Sequence, residues 1–122
     1  MTEIQLKGLL NNFNIMQQQL VILSRCPKDY GSEAIRIKYD RTSFCVNVIT
    51  SAIGILNERE RFIIDVHLID QRTWGDTTEK FENQYGIANS RSERTLKRIQ
   101  SQAIQKLLKF INDLPIDFDI TV

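Results

Sequence analysis

The stretch SRSERTLKRIQSQAIQKLLKFI, residues 90 to 111, decides the reading of this chain. Leu96, Ile99, Ala103, Ile104, Leu107, Leu108 and Ile111 recur at intervals of three and four. That spacing gathers them on one face of a helix. Arg91, Arg94, Lys97 and Arg98 crowd its first turns, and Glu93 is the local acid. Ser90 or Ser92 can cap the start, and Ser90-Arg-Ser-Glu93 is a capping-box pattern. A helix with a cationic N-terminal half and an apolar underside suits phosphate on one side and a protein core on the other.

Outward from this helix the pattern stays helical. Asn57-Glu-Arg-Glu60 is a capping box that opens a helix through ERERFIIDVHLI, with Phe62, Ile63, Val66 and Ile69 as its apolar face. Asp70-Gln-Arg-Thr-Trp74-Gly75 breaks it. Asp76-Thr-Thr-Glu79 has the capping-box form again and predicts a short helix to Tyr85. Gly86 permits the backbone turn that stops it, and Ile87 anchors that turn. Helices over 57–69 and 76–85, a glycine turn and a cationic helix from Ser92 make a helix-turn-helix arrangement. Two helices brace a third, whose N-terminal side chains can enter a major groove about 12 Å wide.

Upstream, Leu6, Leu9, Phe13, Met16, Leu20 and Leu23 predict one helix from Thr2 to Arg25. Their heptad-like seam has two readings, packing within the chain or contact with a second copy. Pro27 ends that helix. Residues 27–41 read as a loop, with a short strand over Ile35, Ile37 and Tyr39 as the competing reading; Lys28, Arg36, Lys38 and Arg41 read as a solvated connection, with phosphate contact as the alternative. A second helix is expected from Asp40 or Thr42 to Leu56, burying Phe44, Val48, Ile49, Ala52 and Ile55. Its β-branched content also admits a strand. The tail LPIDFDITV, with Ile116, Phe118 and Ile120 alternating with acids, is non-helical and expected either to pack back as an extended strand or to fray. The parts are residues 1–56 as a bracing or dimerising unit, 57–112 as the helix-turn-helix, and 113–122 as the tail.

The run LNERERFIIDVHLI, then YGI, then RTLKRIQSQAIQKLLKFI resembles region four of sigma factors. In particular it is similar to the phage-encoded late-gene transcriptional activators of the RinA and ArpU type. The resemblance covers roughly residues 53 to 111 and is best over Ser92-Glu-Arg-Thr-Leu-Lys-Arg-Ile99. Residues from Trp74 to Leu96 form a longer segment than in the family, and residues 1–50 match only in being helical. The resemblance implies an all-α fold, an N-terminal helical pair followed by a sigma region-four-like helix-turn-helix. It places Arg94, Thr95, Lys97 and Arg98 on the DNA-facing helix, and it alone implies recruitment of RNA polymerase. The expected function is sequence-specific binding of double-stranded DNA by a phage or prophage regulator, as an activator. Arg91, Lys97 and Arg98 are expected on phosphates, with Ser92, Arg94 and Thr95 at base edges. The competing reading is a sigma-like module that binds RNA polymerase or another regulator without touching DNA, favoured by the seam and the apolar tail.

Composition narrows the remaining classes. The chain has 122 residues, 42% hydrophobic and 25% charged, which suits one soluble domain. The net charge of +1 is uninformative, but bases cluster at 91–98 while acids collect at 58–82 and in the tail. Cys26, Cys45 and His67 do not form a zinc pattern. Asp65, Asp70 and Asp76 fall on different elements, so no metal or other cofactor is expected. Trp74 reads as core, and His67 as a structural histidine with its hydrogen bonds satisfied. No catalytic constellation, small-molecule site, secretion signal or membrane span is recognisable, so a non-enzymatic, cytoplasmic protein with reduced thiols is expected.

Overall fold

The computed structural model describes residues 1–25, 33–86 and 92–115. Every regular element among them is helical. Helix α1 (Glu3–Asn11) starts from a complete capping box. The Thr2 side chain accepts from the Gln5 N–H at 3.2 Å, and the Gln5 side chain accepts from the Thr2 N–H at 2.9 Å. Helix α2 (Phe13–Ser24) follows after one residue.

The single helix expected over 2–25 is therefore bent at Asn12, where ψ is 0° and the N–H is shared between the Gly8 and Leu9 carbonyls at 3.1 Å each. Distant residues hold the bend. The Gln71 amide donates to the Asn11 carbonyl at 3.1 Å, and the Asn14 amide to Asp70 at 3.3 Å. The seam residues Leu6, Leu9, Phe13 and Met16 are all buried in the chain's own core. Leu20 and Leu23 are half-buried. Packing within the chain is thus what the seam does here.

Helix α3 (Glu33–Ile53) begins well before the expected Asp40 or Thr42, so residues 33–41 are helix rather than loop. The alternation of Ile35, Ile37 and Tyr39 was a poor guide, because Ile35 and Tyr39 are also one helical turn apart. The buried stripe is Thr42, Cys45, Val46, Val48, Ile49 and Ala52. Phe44 and Ile55, expected inside, are 39% and 47% exposed. Burial of this stripe outweighs the weak helix propensity of its β-branched residues.

Helix α4 (Glu58–Ile63) begins at Asn57 with both halves of the expected box formed. It runs on into a π-helical stretch, Ile64–Ile69, closed by the Asp70 N–H on the Asp65 carbonyl at 2.9 Å. This stretch explains the apolar content of IIDVHLI. It lies between two hydrophobic clusters and buries Ile64, Val66, Leu68 and Ile69 around much of its circumference. Gln71 then turns the chain at φ 55°, a left-handed conformation costing about 1–2 kcal/mol in a residue with a Cβ. Its amide bond to α1 helps to offset that cost.

Helix α5 (Trp74–Tyr85) is capped by Thr73, whose hydroxyl accepts from the Asp76 N–H at 3.1 Å. The expected cap at Asp76 is thus three residues too late. Gly86 ends the helix at φ 86°, in the half of backbone space that glycine enters without strain. Helix α6 (Glu93–Asn112) starts at Ser92, whose hydroxyl accepts from the Thr95 N–H at 3.2 Å. Ser90, Ile87, Pro27, Lys28, Cys26 and the tail residues Ile116, Phe118 and Ile120 lie outside the described residues.

The two clusters divide α6 between them. The large one joins α1, α2, α3 and the π-helical stretch to Ala103, Ile104, Leu107 and Ile111 of α6, so it draws on residues either side of position 56. The small one joins Ile63 of α4 and Phe81 of α5 to Leu96 of α6, with Phe62, Trp74, Tyr85 and Ile99 packed around them. The C-terminal half of α6 thus sits in the main core. Its N-terminal half rests on α4 and α5.

Candidate nucleic-acid interface

The N-terminal half of α6 is fixed from beneath and open above. Leu96 is fully buried and Ile99 half-buried against Phe81 and Phe62. The Phe62 ring meets Phe81 edge-on at 5.9 Å and Tyr85 at 5.7 Å, and Phe81 meets Tyr85 at 4.6 Å. Such pairs add about 0.5–1.5 kcal/mol each beyond area burial. Farther along, Lys106 of α6 reaches back to α4. Its Nζ donates to the buried Glu60 carboxylate at 2.8 Å, and the same carboxylate oxygen closes the cap on the Asn57 N–H at 3.0 Å. One buried acid therefore holds the start of α4 and ties it to α6.

A third tie binds the base of α5 to both neighbours. The His67 and Trp74 rings stack at 3.7 Å, and the Lys97 ammonium lies 5.8 Å from the Trp74 ring centre. His67 Nδ1 is 2.8 Å from the Arg72 carbonyl. A carbonyl only accepts, so Nδ1 carries the proton. Burial holds the imidazole below its ordinary value of 6.5. The Arg72 carbonyl and Glu93 oppose that shift, and the ammonium groups of Lys7 and Lys97 reinforce it. Trp74 is half-buried here, packed beside the small cluster rather than sealed inside it.

The expected contact residues separate into two groups. Ser92 spends its hydroxyl on the Thr95 N–H and sits 3.0 Å from the Thr95 hydroxyl. Lys97 pairs with Glu93 at 3.2 Å, both about half-exposed, while also facing Trp74. Arg94 and Arg98 are exposed, one turn apart, and in no ion pair among the described residues. Arg91 lies outside the described residues.

Those two arginines sit where local electrostatics is unfavourable. Like charges at i and i+4 repel by about 0.2–0.5 kcal/mol. Arg94, in the first turn, also faces the positive end of the helix dipole. From residue 94 to 112 the helix has five bases and no acid. Ser101, Gln102, Gln105 and Lys109 continue the exposed side away from the core. This polar row was not singled out from sequence, although the absence of acids over nineteen residues was there to be read. The arrangement as a whole can accept an anion along α6, with a helix N-terminus and two uncommitted guanidinium groups at one end.

Among the described residues, no group of three His, Cys, Asp or Glu side chains is placed to hold a metal ion. No described helix is long and apolar enough to cross a membrane. No protein-family model, no curated protein and no solved structure matches the chain.

Proposed function

We propose that this protein binds double-stranded DNA through the N-terminal half of α6 and acts as a transcription regulator. The observation that carries this reading is the Arg94 and Arg98 pair. Two exposed guanidinium groups lie one turn apart, Arg94 at the unfavourable end of the helix dipole, and lack a protein counter-charge among the described residues. DNA phosphates or guanine edges supply one. Lys97 and the helix N-terminus add phosphate contacts, and the two clusters hold α6 at a fixed angle. Sequence selectivity, a phage or prophage setting, activation and contact with RNA polymerase rest on the resemblance to sigma region four and the late-gene activators.

The test is fluorescence anisotropy of a labelled duplex with wild type and with Arg94→Ala/Arg98→Ala. Neither side chain supports the core, so far-UV circular dichroism should be unchanged. If both contact phosphates, the slope of log K against log salt should fall by roughly 2, about 1 per contact. Retained affinity in the double variant would overturn this assignment. A wild-type protein that binds no duplex at low salt would move the reading to a protein partner.

A further inference from the structure

The C-terminal end of α6 borders an open groove of about 440 Å³. It is lined by Ile55, from the connection between α3 and α4, and by Lys106, Lys109, Phe110, Asp113 and Leu114. Its floor is apolar. Ile55 is 47% exposed, and Phe110 and Leu114 are only half-buried. Its rim is charged. Lys106 is held by Glu60 at 2.8 Å. Lys109, in the last turn of α6, is exposed and in no ion pair among the described residues.

The chain turns at this groove. The Asp113 N–H donates to the Lys109 carbonyl at 3.0 Å, and the Leu114 N–H to the Ile111 carbonyl at 3.2 Å, which closes α6. Pro115, which cannot continue a helix, is the next residue and the last one described. The sequence that follows is IDFDITV, residues 116 to 122. Successive side chains of an extended chain point to opposite sides. Ile116, Phe118 and Ile120 therefore share one side of an extended segment, and Asp117 and Asp119 share the other.

We infer that residues 116–120 dock back into this groove as an extended segment. The apolar side chains lie against Ile55, Phe110 and Leu114, and Asp117 pairs with Lys109, whose flexible stem carries the ammonium over the outer side of the segment. Three features select this occupant. The segment leaves the described chain one residue beyond Leu114, so tethering presents it at an effective concentration on the order of millimolar. Its alternation of apolar and acidic residues complements an apolar floor beside an uncommitted ammonium. A groove of this size takes a few side chains, whereas a folded partner buries about 800 Å² on each side. Asp113, also on the rim, restricts the register, because a carboxylate must clear it to reach Lys109. The tail is then used within the chain rather than offered to a protein partner. The inference does not depend on DNA binding, so the two can fail separately.

The test is nuclear Overhauser spectroscopy of the full chain with labelled methyl groups and phenylalanine rings, from micromolar to millimolar concentration. Cross-peaks should join the Phe118 ring to the Ile55 and Leu114 methyls at every concentration. Phe118→Ser should remove them and move both methyl resonances, while those of the main core stay in place. Lys109→Glu should lower the ratio of docked to free tail by about two- to fivefold, in line with an exposed ion pair. Adding Asp117→Lys to that variant should restore it. Ile55 and Leu114 resonances that ignore Phe118→Ser overturn the inference. So do cross-peaks found only between differently labelled copies in a mixed sample, which would seat a second copy in the groove. A docked fraction indifferent to Lys109→Glu, or not restored by Asp117→Lys, overturns the charge pairing and the choice of occupant with it.

Discussion

Replacing Phe81 with alanine should release α5 and the front of α6 without dissolving the main core. Phe81 is fully buried and, among the described residues, forms the centre of the small cluster with Ile63 and Leu96. It also carries the ring contacts to Phe62 at 5.9 Å and Tyr85 at 4.6 Å. Truncating a buried phenylalanine costs about 3–5 kcal/mol, and the lost ring contacts put this site near 4 kcal/mol. So small a cluster has little else with which to hold α5, whose only other buried residue is Thr77. The C-terminal half of α6 remains anchored by Ala103, Ile104, Leu107 and Ile111. Native-state hydrogen exchange read by mass spectrometry separates the regions. Protection in α5 and the first turns of α6 should fall by up to roughly a thousandfold, since about 1.4 kcal/mol is tenfold. Protection in α1 to α3 should fall far less, and DNA affinity should be lost with α6's front. An equal loss of protection in all helices would refute the two-cluster account and make the chain one cooperative unit.

Two further perturbations follow from the ties around α6. Glu60→Ala removes half of a capping box and a charge-assisted bond, and should cost about 2 kcal/mol in urea unfolding. Lys106→Ala should cost about 1–3 kcal/mol, because it leaves the buried Glu60 carboxylate without its ammonium partner although the lysine itself is half-exposed. A Glu60→Ala cost within about 0.5 kcal/mol, as for an ordinary surface change, would show that the tie is idle. His67 provides the pH dependence. Its folded-state pKa lies below the ordinary 6.5, so the unfolded chain binds the proton more readily. Its contribution is present above 6.5 and is lost as pH falls through the lower folded value. The melting temperature of wild type should therefore drop more than that of His67→Asn on acidification below 6.5. Asp65, whose pKa burial and the Asp70 charge raise above 3.8, works in the opposite direction at lower pH. Parallel pH profiles for wild type and His67→Asn would contradict the assignment to His67.

The parts of this fold that were legible in sequence are those written within one or two turns. The Asn57 and Glu60 box occupies four residues and forms as read. The α6 stripe is a local period of three and four, and Leu96, Ala103, Ile104, Leu107 and Ile111 are buried as it requires. Gly86 stops α5 at positive φ. What was missed depends on distant partners. The bend at Asn12 keeps the seam in register on both sides, so no pattern announces it; Gln71 and Asp70 hold it from sixty and fifty-six residues away. The π-helical stretch follows from a segment buried between two clusters, which local periodicity does not encode. The stack of His67, Trp74 and Lys97 joins three elements, and Glu60 meets Lys106 across forty-six residues. Within the candidate interface, the cationic end of α6 was plain from sequence. The division of its cations was not: Lys97 is engaged by Glu93 and Trp74, whereas Arg94 and Arg98 are left exposed.

The central claim is that α6 meets DNA with its N-terminal half. A titration of the isotopically labelled protein with a random-sequence duplex at low salt, followed by amide chemical-shift mapping, tests it most directly, because non-specific phosphate binding suffices to mark the surface. The account predicts that the largest shifts fall from Ser92 to Arg98, fading along α6 and leaving α2 and α3 unmoved. Shifts centred elsewhere, or none at a duplex concentration that saturates anisotropy, would contradict it.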